Sequence, residues 1–214
     1  MNIMLLGAPG SGKGTQAEKL VERLGFTQFS TGDAMRKEIS DNTELGQECA
    51  KYMNEGRLVP DSIVNAIVKN YLKDNHEQLI FDGFPRTLDQ AKELEKMLAE
   101  VGAKMDHVVY VDVLKDILLD RISGRVICPK CKVSYHLTNR KPKVDMICDN
   151  DGTELVRRAD DTPEKVAVRL EAYEKDTKPL IEFYENKPGY IHLTEIHEAD
   201  PETVYEQMVE GFNA

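Results

Sequence analysis

The sequence predicts an α/β fold: a mostly parallel sheet of five short strands, covered by helices on both faces and interrupted by one helical and one β-rich insertion. Three observations carry that expectation. Short apolar runs alternate with amphipathic helical stretches along most of the chain. The first run ends in a glycine-rich turn that opens directly into a helix. Regular alternation fails in only two internal segments, so the 214 residues suffice for one domain with small insertions.

Taken in order, residues 2–6 are the first apolar run, closed by Gly7, and from Lys13 the residues Ala17, Leu20, Val21 and Leu24 recur at helical spacing. Gln28 to Ser30, Leu79 to Phe81, His107 to Val113 and Tyr190 to Leu193 are the remaining strand candidates. Between Thr87 and Val101, the residues Ala91, Leu94, Met97, Leu98 and Val101 share one helical face. Such alternation implies parallel strands, with ligands bound beyond their carboxyl ends.

From about residue 30 to 59 helix follows helix, punctuated by Gly32, Gly46 and Gly56, then closed by Pro60 and by Asp61 as a good N-cap. From about residue 124 to 161 cysteines, prolines and short β-branched stretches replace the helical period, before Thr162 and Pro163 open a new helix. The expected organisation is a core of residues 1–29, 60–123 and 162–214, with insertions at 30–59 and 124–161.

Asp and Glu number 38 against 28 Lys and Arg, a formal net charge of −10. A nucleic-acid binder normally carries a basic surplus, so no nucleic-acid partner is expected. No run approaches the roughly eighteen apolar residues of a membrane span, and the apolar start lacks a basic flank and a cleavage site. A cytoplasmic protein with no membrane partner is expected. Among four cysteines, Cys49 stands alone while Cys128, Cys131 and Cys148 cluster, which suits a metal better than a secreted disulfide framework.

The strongest motif is Gly7-Ala8-Pro9-Gly10-Ser11-Gly12-Lys13-Gly14-Thr15, a phosphate-binding loop between a strand and a helix. Glycines let backbone N–H groups converge on phosphate oxygens at the helix N-terminus, Lys13 reaches the terminal phosphates, and the Thr15 hydroxyl suits Mg²⁺. Gln78 to Asp82 reads as a buried strand ending in a carboxylate near that metal. Gly83-Phe84-Pro85-Arg86 follows at once, so a guanidinium fork stands beside the acid and suits a second phosphate.

With Ser30-Thr31-Gly32-Asp33 and Arg36, Gln90, Gly124-Arg125, and Arg157-Arg158-Ala159-Asp160-Asp161 with Arg169 added in order, the chain resembles the adenylate kinase family over essentially its full length. The resemblance implies a P-loop kinase core that transfers the ATP γ-phosphoryl group to AMP with Mg²⁺, giving two ADP. It also implies that residues 30–59 hold AMP and that residues 124–161 close over ATP as a lid hinged near Gly124 and Asp160-Asp161.

Carried over motif by motif, Gly10, Ser11, Gly12, Lys13, Gly14 and Thr15 would cradle ATP, with Arg125, Ser134 and Tyr135 close to it. Thr31, Arg36, Gly83, Phe84, Pro85, Arg86 and Gln90 would contact AMP, Gln90 reading the adenine edge. The main chain of Arg57, Leu58 and Val59 would line the base. Arg158 and Arg169 would approach AMP and the transferring group. Lys13, Arg86, Arg125, Arg158 and Arg169 would be the catalytic cations, and Asp82 would act on Mg²⁺ through its water shell. Five of the ten arginines, Arg36, Arg86, Arg125, Arg158 and Arg169, would thus face phosphate groups. Such cations suit a transfer that needs positioning and charge stabilisation, with no covalent nucleophile and no general base.

Within the lid, Cys128-x2-Cys131 and Cys148-x2-Asp151 are separated by sixteen residues. Two short knuckles, each presenting two ligands, fit a tetrahedral structural Zn²⁺. A small lid has little room for its own apolar core, so a metal would replace it. Three cysteines with one aspartate is a variant that the resembled family also contains. His136 reads as a surface or nucleotide-proximal residue rather than a ligand.

Cys49 reads as a small packed side chain, Met35, Met53, Met97 and Met105 as core or cleft fillers, and the acidic segments Glu93 to Glu100 and Glu195 to Glu202 as solvated. Asp160 and Asp161 could be surface charges, but their place beside Arg158 favours a hinge or phosphate-network role. The rival readings are a kinase acting on UMP, CMP or GMP, a nucleotide-driven switch, and a zinc-ribbon adaptor. Gln90 and the long lid favour AMP, and arginines enough for two phosphate groups exceed what a switch needs. A monomer is expected, because both insertions must swing freely and no heptad seam is present.

Overall fold

The computed structural model describes residues 1–194 and 200–213. Its strands are β1 (Ile3–Leu6), β2 (Thr27–Ser30), β3 (Leu79–Asp82), β4 (His107–Val111), β5 (Arg125–Ile127), β6 (Ser134–His136) and β7 (Tyr190–Leu193). Five of them form one sheet in the order β2-β3-β1-β4-β7, every neighbouring pair parallel. The expected α/β fold with a five-stranded parallel sheet is what forms. β4 stops at Val111 instead of Val113, because Asp112 turns its carboxylate to the Tyr110 hydroxyl (3.0 Å) and to His192 Nε2 (3.3 Å).

The helices are α1 (Lys13–Leu24), α2 (Thr31–Ser40), α3 (Glu44–Met53), α4 (Asp61–Leu72), α5 (Leu88–Glu100), α6 (Lys115–Ser123), α7 (Pro163–Ala172), α8 (Pro179–Tyr184) and α9 (Pro201–Gly211). A π-helical turn, Tyr173–Thr177, joins α7 to α8. The two-residue side-chain period of the strands divides the core in two. Ile3, Leu5, Ile80, Val109 and Val111 face α1, α6, α7 and α9 through residues such as Leu20, Ile122, Leu170 and Met208. Met4, Leu6, Phe81, Val108 and Tyr110 face α4, α5 and α8 through Val68, Leu94 and Leu180. Burial on both faces explains why these strands read as continuous apolar runs. Each fully buried side chain contributes roughly 1.5–3 kcal/mol, so truncating Leu20 or Leu94 to alanine strikes the core directly.

Local chemistry sets the helix starts. Ser30 accepts from Asp33 N, Thr43 from Gly46 N and Thr87 from Gln90 N, each capping the helix that follows. Asp61 does not cap α4. Pro60 holds the N-cap position, and the Asp61 carboxylate, on the first helical residue, is committed to Thr87 and Gln90 instead. Of the acidic segment Glu195 to Glu202, residues 195–199 lie outside the described residues, and Asp200 caps α9 by accepting from Glu202 N and Thr203 N.

Residues 124–161 contain an antiparallel β5–β6 pair and isolated bridges at Ile127–Val156, His136–Arg140, Val144–Ile147 and Ile147–Glu154. Their own core is five buried residues, Val126, Cys128, Tyr135, Cys148 and Leu155, two of them cysteines. That is too little apolar surface to hold a segment of this length by burial alone.

Candidate active site

β1 delivers the chain to the loop, and α1 opens at Lys13. Gly12 is the N-cap of α1 with φ +102° and makes no side-chain cap bond, which leaves the first-turn N–H groups to the cleft. Gly10 has φ +84°, and a Cβ there would stand 2.7 Å from Ile122, so only glycine lets the loop pass. Lys13 Nζ donates to Gly7 O (2.8 Å) and Ala8 O (2.9 Å), folded back over the loop's own carbonyls. Desolvation lowers its pKa to about 8; Asp82 opposes that shift, while Arg86, Arg169 and Arg125 add to it.

Asp82 ends β3, and its Oδ2 accepts from Gln28 Nε2 at 3.0 Å. Gly83 then turns with φ +75°, and the Phe84–Pro85 peptide is cis. Arg86 follows, tied on three sides: its Nε donates to Gly83 O (2.8 Å), its N to Gln90 Oε1 (2.7 Å), and its carbonyl accepts from Thr177 Oγ1 (2.9 Å) on the π-helical turn. Thr31 Oγ1, on the first residue of α2, donates to the same Gly83 carbonyl at 3.0 Å.

Two carboxylates gather the other arginines. Asp161 accepts from Arg125 Nε and from Arg169 Nη1 at 2.8 Å. Asp160 lies 3.3 Å from both Arg158 and Arg169 and 4.0 Å from Arg36. Burial alone would raise the Asp160 carboxyl, yet Arg158, Arg169 and Arg36 outweigh it and bring it down to about 2. Burial and mutual repulsion push Arg86 and Arg158 down to about 10. Guanidiniums do not give up their protons near neutral pH, so the crowding is of permanent cations, an arrangement that suits an anionic ligand.

These residues gather around one cleft of about 790 Å³, whose wall holds Asp160 but not Asp161, and eight of the chain's ten arginines although the chain as a whole is acidic. Gly10 through Thr15, Thr31, Arg36, Arg57, Leu58, Val59, Asp82, Gly83, Pro85, Arg86, Gln90, Arg125, Ser134, Tyr135, Arg158 and Arg169 are all on that wall. Phe84 is not: it is 1% exposed and packs in the core beneath. The Arg57 guanidinium turns away to Glu55 and the Tyr52 ring, leaving its main chain to the cleft. His136 also lines the cleft, with its ring Nε2 3.3 Å from Asp120 O.

Sequence reasoning missed several wall residues. Arg121 sits one helical turn after Ile117 on α6 and donates to Ser11 O at 3.3 Å; both residues line the cleft. Arg140, in the β-rich segment 124–161, reaches Thr15 Oγ1 (3.3 Å) and Glu18 Oε2 (3.1 Å), while Glu18 Oε1 accepts from Ser134 N at 3.2 Å. An irregular segment paired across more than a hundred residues leaves no local pattern to read.

Within residues 124–161, one ligand atom from each of Cys128, Cys131, Cys148 and Asp151 lies within 4.8 Å of the others. Cys128 Sγ is 3.5 Å from both Asp151 oxygens, and Cys131 Sγ 3.5 Å from Cys148 Sγ. Hydrogen bonds from Thr153 hold the Asp151 carboxyl down at about 2, keeping it charged. His136 is not in this group.

A parallel sheet with a phosphate loop at its carboxyl edge, an acid ending the neighbouring strand, and arginine forks brought in by two insertions define a nucleoside monophosphate kinase. A family model described as adenylate kinase matches residues 5–188, and the chain belongs to that family. It is 66% identical over 209 residues to an adenylate kinase of Mesoplasma florum, covering 98% of this chain and 99% of the relative. An adenylate kinase of Mycoplasma capricolum is 56% identical over 90% of this chain and 91% of its own length. One of Caldanaerobacter subterraneus is 47% identical over 90% and 88%.

Proposed function

We infer that the protein transfers the ATP γ-phosphoryl group reversibly to AMP, giving two ADP. One observation carries this reading: a single cleft joins the phosphate loop to Arg36, Arg86 and Gln90, and Asp160 and Asp161 tie the arginines of both insertions together around it. Cations enough for two facing phosphate groups suit a direct in-line transfer. The AMP phosphate oxygen is already anionic, so the protein supplies position and charge rather than a base.

In this reading Gly10 through Thr15, Arg125, Ser134 and Tyr135 bind ATP. Thr31, Arg36, the main chain at Arg57 to Val59, Gly83, Pro85, Arg86 and Gln90 bind AMP. Lys13, Arg86, Arg125, Arg158 and Arg169 stabilise charge on the transferring group. Residues 30–59 act as the AMP-binding insertion and residues 124–161 as a lid that excludes water on closing. The hard oxygens of Thr15 and Asp82 fit Mg²⁺ carried by ATP, which would neutralise phosphate charge.

The three thiols and one carboxylate of the lid fit a structural Zn²⁺, all four positions being filled by protein, and the sparse lid core supports that role. Thiols held for a metal suit a reducing compartment, so the cytoplasm is the proposed location. A monomer, free to move both insertions, is the proposed working unit. Among the described residues no helix is long and apolar enough to cross a membrane.

Incubation with Mg²⁺-ATP and, separately, AMP, UMP, CMP and GMP tests the reading. ADP formed with AMP alone is expected; preference for another acceptor would overturn the adenine assignment, and no reaction with any would overturn the kinase.

A further inference from the structure

Gln90 is 2% exposed and sits in the first turn of α5, on the wall of the cleft. Its amide is held at both ends. Oε1 accepts from Arg86 N at 2.7 Å, and Nε2 donates to Asp61 Oδ1 at 2.7 Å. Asp61 Oδ2 accepts from Thr87 Oγ1 at 2.7 Å, and Thr87 Oγ1 in turn accepts from Gln90 N at 3.1 Å. A backbone N–H can only donate and an ionised carboxylate can only accept. The orientation of the amide is therefore decided by its partners: reversed, it would set two donors face to face at Arg86 and two acceptors face to face at Asp61.

What remains unused on Gln90 is one Oε1 lone pair and one Nε2 hydrogen. A 6-aminopurine offers an N6 donor beside an N1 acceptor, and that pattern matches. A 6-oxopurine offers an O6 acceptor beside an N1 donor, which needs the amide turned over. With the acceptor's phosphate gripped by arginines, its base is not free to turn instead.

We propose that Asp61 is a specificity-determining positioning residue: together with the Arg86 N–H it holds the Gln90 amide in one orientation, so that the acceptor site takes a 6-aminopurine monophosphate and rejects a 6-oxopurine one. This rests on the reading that Gln90 faces the acceptor base. Asp61 itself is not part of the cleft wall and acts through Gln90. The alternative, that Asp61 merely ties α4 to α5, predicts equal losses with every acceptor.

The test is kcat/KM for AMP and for IMP in wild type, D61A, D61N and Q90A, with KM for ATP as an internal control. D61A should lower the AMP-to-IMP ratio on the order of tenfold, mainly through a higher KM for AMP. D61N should keep the ratio within about threefold of wild type, because the asparagine oxygen still accepts from Gln90 while its amide nitrogen serves Thr87. An unchanged ratio in D61A, with Q90A collapsing it, overturns the proposal and leaves the role of Gln90 standing. A ratio that Q90A leaves untouched removes both. Should D61A fail to fold, D61S, whose hydroxyl ends one bond short of the Asp61 oxygens, is read by the same ratio.

Discussion

Arg125 grips Asp161 through two hydrogen bonds, Nε to Oδ2 at 2.7 Å and Nη2 to Oδ1 at 2.5 Å, and so joins the place where the chain leaves the core to the place where it returns. The same carboxylate, its side chain 3% exposed, also accepts from Arg169. One buried acid thus sets the positions of two guanidiniums that face the cleft, and it ties the two ends of residues 124–161 together.

Replacing Asp161 by asparagine keeps the shape and removes the charge, leaving two largely buried guanidiniums short of a counter-ion. D161N should cost about 3 kcal/mol and lower Tm by roughly 6–12 °C. kcat should fall roughly 10- to 100-fold as the arginines lose their positions. Calorimetry and steady-state rates check both. An unaltered Tm would show that the pair contributes no net stability.

In the proposed ATP site Lys13 holds phosphate as a cation, and burial lowers its pKa to about 8 in the free protein. kcat/KM for ATP should therefore fall above pH 8, by about tenfold per unit. kcat at saturating ATP should hold to higher pH, since bound phosphates restore the proton's hold. In K13R, whose guanidinium stays charged, the residual activity should lack this limb; a limb that stays in place assigns the proton elsewhere.

Glu18 accepts from the Ser134 N–H and from Arg140, both of the lid, across more than a hundred residues of chain. Arg140 is 40% exposed, so solvent weakens the pair and its worth is below about 1 kcal/mol. E18A and R140A should raise KM for ATP about two- to fivefold with little change in KM for AMP. Hydrogen exchange should become faster at residues 134–140. Equal changes in both KM values would place the effect outside the lid.

A strong chelator should remove close to one zinc per chain and lower Tm by several degrees, because the five-residue lid core cannot replace the metal. C128S should do the same without chelator. Protease should then cut within residues 124–161 while the sheet and its helices survive. Protein that carries no zinc and whose Tm the chelator leaves unchanged would contradict the metal site.

Much of this molecule was legible along the chain. Ile3–Leu6, the glycine loop and α1 follow from short-range rules: apolar runs make buried strands, glycines allow positive φ, and helical spacing marks α1. The two cysteine knuckles are likewise local, and the fold brings Cys128, Cys131, Cys148 and Asp151 together as their spacing suggests. Asp61 shows where local rules stop: it has the composition of a helix cap, yet Pro60 takes the cap and the carboxylate serves a helix some thirty residues on.

By itself the sequence determined the alternation of strands and helices, the phosphate loop and the set of arginines that mark an adenylate kinase, because backbone conformation and motif spacing are properties of neighbouring residues. Only the tertiary structure decided which carboxylate holds which guanidinium, that Arg121 and Arg140 join the cleft while Phe84 leaves it, and that Gln90 is fixed between Arg86 and Asp61. Those pairings follow from the packing of distant elements against a common sheet, where many partners are equally compatible with the local sequence and burial with hydrogen bonding selects one.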